Sequence, residues 1–99
     1  MASSDPRWHA EAWLDAQEAR DWYATRSPFA ARGFLLELAD AVNAVLTAPT
    51  WYPRERANTR RYPFPGRFPY TLVYRLDGDE VEIVAVAHHK RDADYWLHR

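Results

Sequence analysis

The chain has 99 residues, of which 47% are hydrophobic and 15% aromatic, so we expect one domain over residues 1–99 with one modest core. It has no cysteine, which excludes a disulfide framework and a thiolate metal site and fits a reducing cytoplasm. No stretch approaches the roughly 20 apolar residues that cross a bilayer, and the polar N-terminus lacks a signal-peptide pattern, so we expect a cytoplasmic protein without membrane contact.

The formal net charge of −1 hides an uneven distribution of charge along the chain. Residues 1–48 carry four Lys and Arg against seven Asp and Glu, a net of −3, whereas residues 49–99 carry nine against seven, a net of +2. Such a basic half suits an acidic protein segment or a phosphate backbone, although arginines also serve to solvate loops and strand edges. The most basic segment sets six arginines against Glu55 alone: Arg54, Arg56, Arg60, Arg61, Arg67 and Arg75.

The first predicted element is an amphipathic helix from His9 to Arg26. Its small and aromatic residues recur at spacings of three and four, which places them on one helical face. That face consists of Ala12, Ala16, Ala19 and Tyr23, and the charged residues Glu11, Asp15, Glu18 and Arg20 fall mostly elsewhere.

A second helix is predicted to begin at Ser27-Pro28, because Ser caps free backbone N–H groups and Pro fits the first helical turn. It ends at Ala48-Pro49, since a residue before Pro is pushed out of the helical region. Two helices with so short a connection must lie antiparallel. The apolar stripe of the second helix is Phe34, Leu35, Leu38, Val42, Val45 and Leu46.

The second half of the chain is predicted to form strands, since prolines recur there and forbid a helix. The strands are expected at Asn58–Phe64, Pro69–Leu76 and Glu80–His88. Asp77-Gly78 predicts a type I′ hairpin between the last two, because its central residues tolerate positive φ. The last strand is apolar on both faces, which is typical of a central strand covered on both sides.

The exit of that strand reads HHKRDADYW, residues 88–96, and has three interpretations. We do not expect His88 and His89 to bind a metal together with His9 or His98, because neighbouring strand residues point to opposite faces. We expect no cofactor either. A nuclease could draw its base, cation and acid from His88, His89, Arg91 and Tyr95 without a metal. The structural alternative pairs Arg91 with Asp92 or Asp94 and buries Tyr95-Trp96 in the core.

The order and spacing of these pieces resemble the RelE/ParE superfamily of type II toxins over roughly residues 9–99. The resemblance implies an α+β fold, in which an N-terminal antiparallel helical hairpin packs on a small antiparallel β-sheet of three to four strands. The matching pieces are Trp22-Tyr23, Phe34, Pro49, Arg60-Arg61, Phe68-Pro69-Tyr70, Tyr74-Arg75, Ala85-Val86-Ala87-His88, Arg91, Tyr95-Trp96 and Arg99.

The pieces are closer to the ParE-like branch, whose known targets are DNA gyrase, than to the ribonucleases. Our alignment puts Thr71 where ribonuclease members carry an arginine, and the net charge of −1 is unlike their strongly basic surfaces. The resemblance therefore implies a growth-inhibiting toxin of the plasmid-stabilization kind, neutralised by a cognate antitoxin, that binds a protein target rather than acting as an enzyme. The alternatives are a ribosome-dependent mRNA endonuclease that uses His88, His89, Arg91 and Tyr95, and an inactive relative that only binds.

The expected partner contacts follow from these features. An antitoxin with an amphipathic helix and acidic residues is expected, because the arginines of segment 54–75 have few nearby acids. Direct DNA binding by the toxin alone is not expected. The first strand usual in the superfamily is reduced here to about Pro6–His9, so the edge of the sheet is expected to be bare and open to a partner strand. Trp96 should pack between sheet and helices while Arg91 folds toward the basic strands. Residues expected to bind the target or antitoxin are Arg60, Arg61, Arg67, Arg75, His89, Lys90 and Arg91.

Overall fold

Two antiparallel helices pack on one face of a four-stranded sheet in a computed structural model that describes residues 5–99. The α+β fold predicted from the sequence is confirmed. Residues 1–4, the start of the polar stretch predicted to carry no signal peptide, lie outside the described residues. The elements are β1 (Arg7–Trp8), α1 (Ala10–Ala24), α2 (Pro28–Thr47), β2 (Arg60–Pro63), β3 (Tyr70–Asp77) and β4 (Glu80–His88), with a 3₁₀ turn at Arg56–Asn58 before β2.

Both helices begin at side chains that accept hydrogen bonds from free backbone N–H groups. The imidazole Nδ1 of His9 accepts from the N–H of Glu11 at 3.1 Å before α1. At α2, the Ser27 hydroxyl accepts from the N–H of Phe29 at 3.1 Å and Pro28 follows in the first turn, as predicted. The buried stripe of α2 contains Phe34 and other predicted residues, but Leu35 is 43% exposed, so its predicted place in the core is wrong.

The strand order in the sheet is β1-β4-β3-β2, which makes β4 a central strand as predicted. The pairs β2–β3 and β3–β4 are antiparallel, whereas β1 runs parallel to β4, so the sheet is mixed rather than wholly antiparallel. Asp77 pairs with Glu80, which leaves Gly78-Asp79 as the two-residue loop. A type I′ turn needs a positive φ at both central residues. Only Gly78 in that loop has one, at 62°, so the prediction of a type I′ turn centred on Asp77-Gly78 is wrong.

A β-bulge in β4 decides which of its side chains face the helices. Val73 pairs with Ala85 but Tyr74 pairs with Ile83, so Val84 is an extra residue with no partner on β3. Val84 and Ala85 both pack on the face away from the helices. The bulge thereby turns Val86, and two residues later His88, back toward the helix side.

The sheet carries a core on each face. Phe34, Leu72 and Ile83 belong to the larger core between sheet and helices. Val73 and Val84 belong to a smaller core on the other face, which Trp96 covers with only 3% of its surface exposed. Trp96 is buried as predicted, but it lies against the outer face of the sheet instead of between sheet and helices. No helix in the described part of the chain is long and apolar enough to cross a membrane.

Candidate functional site

Asp15 of α1 is a buried carboxylate where β4 meets the C-terminal turn, with 3% of its side chain exposed. It accepts hydrogen bonds from the N–H of Val86 at 3.1 Å and the Tyr95 hydroxyl at 2.8 Å. The Arg99 guanidinium binds both carboxylate oxygens, at 2.7 and 3.2 Å. The sequence interpretation that left Asp15 off the buried face of the helix is therefore wrong, and neither Asp15 nor the role of Arg99 was predicted.

These side chains also close the edge of β4. The short strand β1 pairs only with Glu82 and Ile83, and the N–H of His9 extends the edge contact to the Ile83 carbonyl at 2.9 Å. Beyond that point the N–H of Val86 is bound by Asp15, and the carbonyl of Val84 accepts from Arg99 at 3.1 Å. The expectation of a bare edge open to a partner strand is therefore wrong at these positions, because side chains already occupy its polar groups.

Tyr95 and Arg91 stack beside this buried carboxylate. The Arg91 guanidinium lies 3.8 Å from the centre of the Tyr95 ring, and its Nη1 is 3.6 Å from an Asp15 oxygen. Burial, reinforced by the nearby Asp15 charge, raises the pKa of the Tyr95 hydroxyl above its usual value of 10.0. Arg91 thus turns toward α1, and both predictions for it, a pairing with Asp92 or Asp94 and a fold toward the basic strands, are wrong.

The two adjacent histidines lie on opposite faces of the sheet, as strand geometry predicted. The His88 ring accepts from the N–H of Lys90 at 3.0 Å and meets the Tyr70 ring edge to face at 4.9 Å. Burial, then the nearby His89 and Lys90, lowers the His88 pKa below 6.5. His89 lies on the outer face, where a ring nitrogen is 3.0 Å from the Thr71 hydroxyl. All four nuclease candidates nevertheless line a small cleft of about 220 Å³, although the Tyr95 hydroxyl donates its hydrogen bond to the buried Asp15.

An open cleft of about 660 Å³ separates α1 from the exit of β4, and we call it the α1–β4 cleft. Its α1 wall carries acidic and aromatic side chains, whereas the opposite wall carries His88, Lys90 and Arg91. Trp22, Glu18 and Tyr70 were not among the predicted site residues, although the spacing of residues 15, 18, 19 and 22 along a helix indicates one shared face. The lining residues are Asp15, Glu18, Ala19, Trp22, Tyr23, Pro69, Tyr70, Val86, His88, Lys90 and Arg91.

Most arginines of the basic segment are engaged within the fold. Arg75 pairs with Glu82 at 2.8 Å, and Arg61 pairs with Asp94 at 2.9 Å and with Glu55 at 3.2 Å. Arg60 donates to the backbone carbonyls of Thr50 and Tyr52. The predicted shortage of nearby acids is therefore wrong for Arg61 and Arg75. Arg67, by contrast, is exposed, with its guanidinium 5.6 Å from the Phe68 ring centre.

The chain is a small α+β protein in which a helical hairpin packs on a mixed sheet, with a charged cleft at the strand exit. Residues 7–93 match the family described as ParE toxin of type II toxin-antitoxin system, parDE, and the chain belongs to that family. The predicted resemblance is thereby confirmed. A search of curated proteins finds no match. Membership supports a toxin role, and ParE-type toxins pair with a cognate antitoxin.

Proposed function

We propose that this toxin acts in the cytoplasm and inhibits growth by binding DNA gyrase, without catalysing a reaction of its own. The observation that carries the non-catalytic part of the proposal is the 2.8 Å hydrogen bond from the Tyr95 hydroxyl to the buried Asp15 carboxylate. A general acid or base must reach the atom whose proton it transfers and needs a pKa near the working pH. Tyr95 instead donates inward and has a raised pKa.

The exposed loop after β4 supports a binding role. His89, Lys90 and Arg91 are exposed there, and Lys90 and Arg91 place two cationic groups next to each other at the surface. Such groups attract an acidic protein surface and fix its orientation, without any need for reacting atoms to converge. We therefore assign contact with the target to these three residues. Arg60, Arg61 and Arg75 have a mainly structural role, because they already bind groups within the fold.

The test is to separate the toxin from its antitoxin and measure DNA supercoiling by purified gyrase. We expect the wild-type toxin to inhibit supercoiling, and Arg91→Ala to weaken inhibition about tenfold, as is common when a charged hydrogen-bonding group is lost from an interface. Arg32→Ala is the matched control, since Arg32 is an exposed arginine on α2 outside the strand exit. Unaltered supercoiling at high toxin concentration contradicts the proposal.

A second candidate, ribosome-dependent cleavage of mRNA, is favoured by one observation. His88, His89, Arg91 and Tyr95 all line one cleft of about 220 Å³ at the exit of β4, and burial lowers the pKa of His88 below 6.5. Primer extension on translating ribosomes tests this candidate beside the gyrase assay. Cleavage that His88→Ala abolishes establishes the nuclease, whereas inactivity in both assays leaves the binding-only relative.

A further inference from the structure

We propose that the α1–β4 cleft is the docking site for an antitoxin segment that carries a large apolar side chain next to an acidic one. This inference rests on the toxin role in the proposed function, but not on the identity of the toxin's target. It is carried by three features of the described residues: an exposed aromatic ring on the α1 wall, an Asp15 carboxylate that binds Arg99 more closely than Arg91, and a β4 edge whose backbone groups are already hydrogen-bonded.

The α1 wall of the cleft offers an apolar anchor point. Trp22 is 51% exposed, and its ring meets that of Tyr23 edge to face at 4.9 Å. The Arg26 guanidinium lies 3.9 Å from the centre of the Trp22 ring and helps to hold the ring in place. Exposed aromatic rings fixed by their neighbours lose little conformational entropy when covered, and tryptophans often dominate the energy of an interface. An apolar side chain that covers Trp22 therefore gains contact area without reorganising the cleft.

The cations on the wall opposite α1 select an acidic neighbour for that apolar side chain, on the side of the cleft away from Glu18. The Asp15 carboxylate is bound closely by Arg99 at 2.7 Å and only loosely by Arg91 at 3.6 Å. Arg91 can leave Asp15 and pair with a partner's carboxylate while Arg99, Tyr95 and the Val86 N–H still bind Asp15. Lys90 adds a second cation on the same wall of the cleft.

The geometry favours contact through side chains over addition of a strand. Side chains from Asp15 to Trp22 form one wall, which runs about 10 Å along α1 at the usual rise of 1.5 Å per residue. The neighbouring β4 edge has no free backbone groups at Val84 and Val86 for a partner strand, because the Val84 carbonyl is bound by Arg99 and the Val86 N–H by Asp15. A short segment that lies along α1 meets Trp22 and Arg91 together, which fits an apolar side chain beside an acidic one.

The first test compares two exposed tryptophans by fluorescence. Trp22 lines the cleft, whereas Trp51, 79% exposed, lies between α2 and β2. The probe is the cognate antitoxin, purified from its complex with the toxin. We expect antitoxin to shift the emission of wild-type toxin and of Trp51→Phe to shorter wavelength, and the shift to be largely lost in Trp22→Phe. A shift that persists in Trp22→Phe and disappears in Trp51→Phe overturns the proposal.

The second test measures antitoxin affinity by calorimetry at several salt concentrations. We expect Trp22→Ala to weaken binding about thirtyfold, as for a central aromatic anchor. Arg91→Ala should weaken it about tenfold, with a smaller salt dependence than wild type. Arg32→Ala, the exposed control on α2, should match wild type.

The outcomes separate this inference from the proposed function. Wild-type affinity in both cleft variants overturns the inference, even if gyrase is inhibited. Loss of antitoxin binding in the cleft variants, together with a failure to inhibit gyrase, supports the inference and removes only the proposed target. Equal losses in Trp22→Ala and Arg32→Ala place the antitoxin on a surface broader than the cleft and also overturn the proposal. Circular dichroism spectra that match wild type establish that each variant is folded.

Discussion

A single buried carboxylate, Asp15, joins α1, β4 and the C-terminal turn. Its contact with Arg99 is bidentate, and both side chains are largely withdrawn from water. Taking charges out of water is costly, so such a pair contributes little net stability, but removing one partner leaves the other charge buried and unpaired. Asp15 therefore also sets the position of Tyr95, and with it the stacked Arg91.

Asp15→Ala should lower the free energy of unfolding by roughly 3 to 5 kcal/mol, because it leaves the Arg99 charge and the Val86 N–H without their acceptor. Urea denaturation measures the loss. Glu18→Ala is the matched control on the same helix, because Glu18 is exposed and its removal should change stability by less than about 0.5 kcal/mol. An Asp15→Ala protein as stable as the control would show that water replaces the carboxylate at no cost.

At the scale of elements, the turn after β4 covers the outer face of the sheet through Trp96. Trp96→Ala should cost about 3 to 5 kcal/mol, as expected when a buried tryptophan is truncated. That is a large part of the stability of so small a domain, so the variant should unfold or aggregate near growth temperature. Trp51→Ala removes the same side chain from an exposed position and should leave the melting temperature almost unchanged. Thermal melts of the pair decide between a structural role for Trp96 and a dispensable one.

The segment before β2 contains two consecutive residues in the left-handed region, Ala57 at φ 54° and Asn58 at φ 57°. This conformation is strained for alanine, whereas asparagine tolerates it and glycine adopts it freely. Ala57→Gly should therefore raise the free energy of unfolding by about 0.5 kcal/mol and the melting temperature by about 3 °C. Asn58→Gly should gain less or lose stability. A lower melting point for Ala57→Gly than for Asn58→Gly contradicts this account.

At the scale of the whole molecule, four of the six tyrosines have hydroxyl groups whose pKa is raised mainly by burial: Tyr23, Tyr70, Tyr74 and Tyr95. For Tyr74 the raised pKa is about 12. A raised folded-state pKa contributes stability that is fully present below the unfolded value of 10.0 and is lost as pH rises above it. We expect stability to fall steeply above pH 10.0, with part of the ultraviolet tyrosine titration coinciding with unfolding. Six tyrosines that ionise together near pH 10.0 in folded protein would contradict this expectation.

The sequence predicted the elements because their signals are local. Ser27-Pro28 sets the start of α2, and the central place of β4 follows from its apolar run. It did not predict features that depend on distant parts of the chain. The Val84 bulge breaks the simple alternation of strand side chains, and Trp96 packs on the outer face of the sheet instead of in the core next to the helices. Asp15 was assigned to solvent because a helical wheel shows which residues share a face but not which distant cation that face will meet.

The pairing of Asp15 with Arg99 joins residues that are 84 positions apart in the chain. Contacts of such long separation form late, since the entropy of closing a long loop must be overcome before they stabilise the chain. Val84 of β4 precedes Arg99 by 15 residues, so on a ribosome that adds about 5 to 20 residues per second it leaves the exit tunnel roughly 1 to 3 s before Arg99 does. Until then the β4 edge at Val84 lacks the guanidinium that closes it in the folded protein. The newly made chain thus passes through a period in which that edge can pair with an antitoxin or with another nascent chain, so antitoxin already present during translation would meet a different surface from the one on the finished toxin.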